Sequence, residues 1–127
     1  MAYHSKEYDL QLAVCKYLKY QYPHVLFRSD LGGIKLSKGM GMKYARLQHS
    51  SGFPDLIIYY KSKGKSGLAI ELKTLNSPVY KINGELYKKD HLKNQARVLE
   101  YLREQNFEAD FCVGIDAAKR KIDNYLC

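Results

Sequence analysis

The sequence predicts an α/β fold in which helices flank both faces of a mixed β-sheet. Two observations lead to this fold class. Segments with the helical spacing of apolar residues alternate with short segments rich in β-branched and aromatic residues. Their order is helix, strand, loop, strand, strand, helix, strand, helix, which is typical of a sheet covered on both sides. We expect the 127 residues, 1–127, to form a single domain.

The first part of the chain predicts one long helix and one short strand. The helix extends from about Ser5 to Gln21. One of its faces carries four residues at helical spacing: Glu7, Gln11, Val14 and Leu18. Residues 24–28 follow as a strand. Residues 29–54 predict a glycine- and lysine-rich loop with a short helix near residues 43–48. A loop of this length in a small domain is more often functional or disordered than inert.

The second part of the chain predicts the rest of the sheet. Strands are predicted over residues 55–60, 68–74 and 109–115. The glycine- and serine-rich segment between the first two of these predicts a hairpin. An irregular stretch over residues 76–89 precedes a helix from Asp90, its candidate cap, to Gln105. Residues 117–126 predict a last helix.

The charge of the chain favours a polyanionic partner such as nucleic acid. Lysine and arginine number 21 against 13 aspartate and glutamate residues, so the net charge is +8. No segment approaches the roughly 20 apolar residues of a membrane span, so no membrane partner is expected. The N-terminus has charged residues where a signal peptide needs apolar ones, and the three cysteines form no CxxC pair. We therefore expect an intracellular, cytoplasmic protein with reduced thiols (in the host cytoplasm if viral).

The strongest chemical signal surrounds two neighbouring predicted strands. Gly52-Phe53-Pro54-Asp55 opens the first, and Glu71-Leu72-Lys73 ends the second. Glu71 and Lys73 are two residues apart, so both point to the same face of the sheet. An ion pair between them would by itself explain both as structural residues. Asp55 changes this balance, because a hairpin brings its carboxylate beside Glu71, and two adjacent carboxylates need a compensating charge.

A divalent cation would supply that compensation. Carboxylate and carbonyl oxygens are ligands that select Mg²⁺ or Mn²⁺. Lys73 would then be close enough to orient or polarise a water molecule. The residues alone therefore favour a metal site over a simple ion pair.

These residues resemble the signature of a nuclease superfamily. Pro54-Asp55 followed by Glu71-x-Lys73 resembles the PD-(D/E)XK motif. Further features are similar to the VRR-NUC branch of that superfamily, namely the Gly-x-Pro-Asp before the strand and the polar helical residues Glu7, Gln11 and Gln95. The similarity extends over residues 7–115, and the length resembles that of stand-alone VRR-NUC domains encoded by bacteriophages. It implies a restriction-endonuclease-like core, a mixed β-sheet flanked by helices.

The resemblance implies a role for each residue of the motif. Asp55 and Glu71 correspond to the metal-binding carboxylates, with the backbone carbonyl of Leu72 as a third ligand. Lys73 corresponds to the residue that orients the attacking water and supports the charge that develops in the transition state. Whether one metal ion or two would act is left open by the sequence.

Helical residues complete the implied site. Glu7 corresponds to an acid on the first helix that holds a second metal or positions a water. Gln95 corresponds to a residue that supports Lys73 or the water, and Gln11 is a weaker member. Glu7 and Gln11 should lie at the rim of the core, pointing inward.

Basic residues outside the motif are expected to contact DNA phosphates without reading sequence. They lie in the first loop and in the predicted hairpin: Lys35, Lys38, Lys43, Arg46, Lys61, Lys63 and Lys65. The implied activity is Mg²⁺-dependent, structure-selective endonucleolytic hydrolysis of DNA. Branched DNA such as a Holliday junction is the favoured substrate. A homodimer is expected because a two-fold junction needs two opposed cuts.

Two alternatives to this activity remain open at the level of sequence. The chain could be a non-catalytic, basic nucleic-acid-binding protein that retains the nuclease fold. It could also be a basic RNA-binding protein in which Glu71 and Lys73 form only an ion pair. The sequence leaves the preferred DNA structure, the cleavage position and the biological pathway open.

Overall fold

A computed structural model describes residues 6–31, 34–77 and 79–127, and within these ranges the helices and strands alternate much as the sequence predicts. In chain order the elements are α1 Lys6–Gln21, β1 Leu26–Ser29, α2 Lys38–Arg46, β2 Leu56–Tyr59, β3 Gly67–Lys73, α3 Asp90–Glu104, β4 Phe107–Val113 and α4 Ile115–Leu126. No helix within them combines the length and apolar character needed to cross a membrane.

The strands form one mixed sheet in the order β1-β2-β3-β4. β1, β2 and β3 are antiparallel neighbours, whereas β4 runs parallel to β3. The parallel pair follows from the intervening helix α3, which carries the chain back to the edge where β3 began. The predicted α/β class, a mixed sheet flanked by helices, is confirmed.

β3 is the centre of the packing, because all but the last of its residues are buried. Its alternate side chains Leu68, Ile70 and Leu72 belong to the core formed with α1 and α4. Ala69 points to the other face and packs against Leu99 of α3. The charged residues Glu71 and Lys73 share the face of Ala69, so they lie on the side of the sheet that α3 covers.

The two ends of the β2–β3 hairpin differ in chemistry. Asp55, Glu71 and Lys73 lie at the open end. At the closed end, the hydroxyl of Tyr125 in α4 donates to the carbonyl of Tyr60 at 2.6 Å. The rise along seven-residue β3 separates these two ends by roughly 20 Å.

Several predicted boundaries were wrong, each for a local reason. β1 begins at Leu26 because a turn bonds the N–H of Val25 to the carbonyl of Tyr22 at 3.0 Å. The short helix near residues 43–48 lies earlier, as α2, because Ser37 caps its start by accepting from the N–H of Met40 at 3.2 Å. Two glycines inside α2, poor helix formers, obscured it in the sequence.

The later helices also differ from prediction. Asp90 is the first residue of α3 and not its cap, since Lys89 occupies the cap position without a side-chain hydrogen bond. The carboxylate of Asp90 instead lies in the first helical turn, where it complements the helix dipole. β4 begins at Phe107, and α4 starts at Ile115 directly after Gly114, whose positive φ of 86° ends the strand. The predicted first residue of α1, Ser5, lies outside the described residues.

Candidate active site

Asp55 and Glu71 lie side by side because of the register between β2 and β3. Leu56 pairs with Ile70, which brings the preceding residue, Asp55, opposite Glu71. Oδ2 of Asp55 accepts a hydrogen bond from the N–H of Leu72 at 2.9 Å. Glu71 is only 4% exposed, while Asp55 is half-buried. The hairpin thus holds two carboxylates together at its open end, as the sequence predicted.

The polar partners of Glu71 come from β3 and α3. Nε2 of Gln95 donates to Oε1 of Glu71 at 3.0 Å, and Nζ of Lys73 lies 3.9 Å from the same oxygen. The side chain of Lys73 is 13% exposed. Oε2 of Glu71 and Oε1 of Gln95 are buried and accept no hydrogen bond from the residues that the structure describes. A buried acceptor without a donor is costly, so this corner of the site favours a cation or a proton.

Burial and charge repulsion control the protonation of the pair. Burial, followed by the nearby Asp55 carboxylate, raises the pKa of Glu71 to about 9, although Lys73 opposes the shift. Burial also raises the pKa of Asp55, and the hydrogen bond from Leu72 works against that rise. In the metal-free protein the pair therefore holds a proton on Glu71 at neutral pH.

Asp30 is a third acid near the pair that the sequence reasoning missed. Its N–H donates to the carbonyl of Asp55 at 2.7 Å, just beyond the last residues of the β1–β2 ladder. Its negative charge raises the pKa of both Asp55 and Glu71. The signal available in the sequence was weak, because Asp30 opens an irregular loop and has no motif around it.

The residues present fit a divalent cation. Asp55 and Glu71 supply carboxylate oxygens. The carbonyl of Leu72 leaves β3 on the same side as its N–H, toward Asp55, since the carbonyl of the next residue, Lys73, faces β4 and accepts from Gly114. In the described part of the chain, no cluster of three or more His, Cys, Asp or Glu side chains could hold a metal. The fit therefore rests on two carboxylates, one of which carries the unsatisfied Oε2 of Glu71, and on one main-chain carbonyl.

A cavity of about 340 Å³ opens over the two carboxylates. α1 lines it with Glu7 and Gln11, and the first half of α3 lines it with Gln95. Glu7 is exposed at the cavity, so it lies at the rim as expected. The cavity is also lined by Asn76, Ser77, Lys89 and His91.

Gln11 supports the site indirectly, through hydrogen bonds to the end of β1 and the residue after it. Its Nε2 donates to Oγ of Ser29 and to the carbonyl of Asp30, each at 2.5 Å. Oγ of Ser29 in turn donates to the carbonyl of Asp55 at 3.2 Å. Gln11 therefore ties α1 to the end of β1, and through it to the backbone that carries Asp55.

The basic residues fall into two separate places. The first group is exposed on and before α2: Lys35, Lys38, Lys43 and Arg46. The second group, Lys61, Lys63 and Lys65, lies at the closed end of the β2–β3 hairpin. Nζ of Lys63 donates to the carbonyl of Asn124 near the end of α4. The structure thus separates the hairpin lysines from the carboxylates by the length of β3, and their part in DNA binding stays a prediction.

The raised pKa of Glu71 predicts how pH affects the metal-free protein. In EDTA, the free energy of unfolding should fall as pH rises from about 4.5 to about 9. The unfolded chain releases this proton near its ordinary pKa, while the folded chain retains it, so the folded state binds more protons over that range. This one group contributes at most about 1.4 kcal/mol per pH unit. Urea denaturation at several pH values measures the decline.

Glu71→Gln is the matched control, because the amide keeps the shape of the side chain and does not titrate. Its stability should decline less steeply than that of the wild type over the same pH range. Identical pH dependence in the two proteins would contradict the raised pKa.

Comparison with known proteins agrees with this geometry. The family model described as VRR-NUC domain matches residues 6–116. A solved structure described as a VRR_NUC domain protein superposes with a TM-score of 0.65 at 21% identity, covering 98% of this chain and 90% of the other, and shows the same fold. Comparison with curated proteins gave no match. VRR-NUC domains are nuclease domains, which implies DNA as the substrate. Membership of the PD-(D/E)XK superfamily is consistent with this family. The resemblance inferred from the sequence is confirmed, and the chain belongs to the VRR-NUC family.

Proposed function

We propose that the protein is a Mg²⁺- or Mn²⁺-dependent endonuclease that hydrolyses phosphodiester bonds in DNA at Asp55 and Glu71. The observation that carries this proposal is the close, buried pair of carboxylates, Asp55 and Glu71, whose mutual repulsion a cation would relieve. A structural ion pair with Lys73 would not need Asp55 in the same place. A cation-binding site explains both acids.

Each residue of the site has a task in this reaction. A bound divalent ion would lower the pKa of a water molecule and screen the charge of the phosphate. Gln95 fixes the orientation of Glu71, and the N–H of Leu72 fixes that of Asp55. The ammonium group of Lys73 supplies positive charge where the phosphate gains negative charge in the transition state. Glu7, exposed at the cavity, would hold a second metal or position water.

Metal dependence is the central test of the proposed activity. Purified protein should cut DNA with Mg²⁺ or Mn²⁺ and should not cut it in EDTA. Asp55→Asn and Glu71→Gln should each lower the cleavage rate by at least about 10²-fold, on the scale of losing one electrostatic contribution to the transition state. Their DNA affinity in EDTA should stay close to that of the wild type.

Asp116→Asn is the matched control, since Asp116 is an exposed acid on α4. It should cut DNA like the wild type. Full cleavage in excess chelator would refute the metal site. Tight DNA binding without cleavage under any metal condition would instead identify a non-catalytic binding protein.

Lys73→Ala tests the role of the ammonium group. The cleavage rate should fall by roughly 10²-fold, because one positive charge near the transition state is removed. The fold should survive, which circular dichroism and thermal unfolding would check. Lys19→Ala, at an exposed lysine of α1, serves as the control and should keep full activity. An active Lys73→Ala variant would show that Lys73 only forms a structural ion pair with Glu71.

The two basic groups should contribute differently to DNA binding. Replacing Lys35, Lys38 and Lys43 with alanine should weaken binding to any DNA sequence. The salt dependence should become shallower by roughly one unit for each phosphate that the variant no longer neutralises. Replacing Lys61, Lys63 and Lys65 with alanine should weaken binding only for DNA that extends more than roughly 20 Å from the carboxylates. Binding measured against salt, on short and long duplexes, checks both, and an altered sequence preference would contradict them.

Branched DNA is the proposed substrate and a homodimer the proposed working unit. Two cuts in opposed strands need two copies of the site, and two-fold dimers are the commonest oligomers. In the segment before α3, Ile82 is fully exposed and Tyr80 is half exposed, and both offer apolar surface for such a contact. Light scattering should give about twice the chain mass of 14.7 kDa. Ile82→Asp should give the single-chain mass. Leu47→Asp, at an exposed apolar residue directly after α2, is the control and should leave the mass unchanged. A monomer that cuts linear duplex as fast as a four-way junction would refute this proposal.

A further inference from the structure

A second cavity, of about 230 Å³, lies on the same face of the sheet as the carboxylates. α3 packs mainly on β3 and β4, and on β2 it reaches Ile57, so this face of β1 and the end of β2 at Tyr59 stay more open. Three aromatic rings line the cavity, Tyr44 from α2, Phe53 from the segment before β2, and Tyr59 from the end of β2. Tyr59 is 50% exposed and Phe53 is 38% exposed. Aromatic rings exposed in a concave site are typical of surfaces that bind flat, apolar groups.

The same cavity carries polar groups that are free to bind a ligand. Arg28 and Gln48 line it beside the rings. Within the ranges that the structure describes, the side chains of Arg28, Gln48 and Tyr44 take part in no hydrogen bond or ion pair. Asp30 lines the cavity as well, and its carboxylate can accept from an amino group. The cavity thus combines flat apolar walls with both donors and an acceptor, which matches the edges of a nucleobase.

The position of the cavity relates it directly to the proposed chemistry. Ile57, which also lines it, lies two residues along β2 from Asp55 and on the same face. That separation is roughly 7 Å. Asp30, whose N–H binds the carbonyl of Asp55, lies between the cavity and the carboxylates. A nucleotide held here would be a neighbour of the nucleotide whose phosphate lies at Asp55 and Glu71.

Charge complementarity favours a nucleotide over an apolar peptide. Arg28 contributes positive charge inside the cavity, and Lys43 and Arg46, which flank Tyr44 on α2, are exposed. These groups can contact the phosphates on either side of the bound base. The cavity is also smaller than the roughly 300 Å³ at which ligand pockets usually begin, so it suits a single base and not a base pair.

We propose that this cavity binds one unpaired nucleobase of the DNA, next to the phosphodiester bond that is cut. This inference rests on the proposed nuclease function and adds how the substrate is chosen. A base must leave the helical stack to enter the cavity, and that costs least where it is already unpaired. Branch points, forks and mismatches offer such bases. The cavity therefore gives a physical reason for selectivity toward interrupted duplexes over continuous ones.

The test compares DNA probes that differ by one base. One fluorescent forked DNA retains every base near the branch. Each fork of a matched series lacks a single base, and the abasic site lies one nucleotide further along in each. Anisotropy in EDTA measures binding without cleavage. The wild type should bind the abasic probe at one position about 5- to 160-fold more weakly than the intact fork, the range for losing one stacked base. Tyr44→Ala should bind these two probes equally.

Controls separate this inference from the proposed function. Tyr44→Phe retains the ring and Tyr101→Ala removes an exposed tyrosine of α3, so both should keep the wild-type difference. A wild type that cuts forks with Mg²⁺ but binds every abasic probe as tightly as the intact fork would overturn the base site alone. If Tyr44→Ala weakened binding of both probes by the same factor, the base site would also be overturned, since Tyr44 would then contact only the backbone. A base-dependent wild type that never cuts would overturn the hydrolysis and leave the base site in place.

Discussion

The burial of Glu71 beside Asp55 is the constraint on which the site depends. A carboxylate on a central strand loses its hydration, and a second carboxylate nearby adds repulsion, so the metal-free protein keeps a proton on Glu71. Gln95 and Lys73 compensate one oxygen of Glu71, and the other has no donor among the described residues. The fold therefore carries an unfavourable interaction at this point. A bound cation would relieve it, so metal binding and stability should be linked.

The architecture makes this arrangement possible by giving the two faces of β3 different roles. Leu68, Ile70 and Leu72 join the large core with α1 and α4, which stabilises the strand independently of the site. The opposite face carries small Ala69 in the middle and the charged residues at the end. α3 covers this face and contributes Gln95 at the point where the carboxylates emerge. The hydrophobic core thus holds the strand rigid while its end stays reachable from the cavity.

The second cavity and the basic surface of α2 extend the same face of the sheet toward β1. Three kinds of group border this face: the carboxylates, the aromatic rings of Tyr44 and Phe53, and the exposed cations of α2. DNA that lies across it would meet the exposed cations, the second cavity and the proposed metal site in succession. Affinity would come mainly from the cations, which read no sequence, whereas selectivity would come from the shape of the second cavity.

The sequence by itself determined the fold class, most of the elements and the Asp55, Glu71 and Lys73 set, because these follow from local periodicity and from spacing within one hairpin. Gln95 and Glu7 could be predicted from the resemblance to the family. Only the tertiary structure decided that Asp30 joins the electrostatics of the site, that Gln11 supports β1, and that the hairpin lysines lie at the far end of β3. It also showed that α2 begins earlier than predicted and that Asp90 is the first residue of α3 and not its cap. These facts depend on the pairing of strands distant in sequence and on helix packing, which no local pattern encodes.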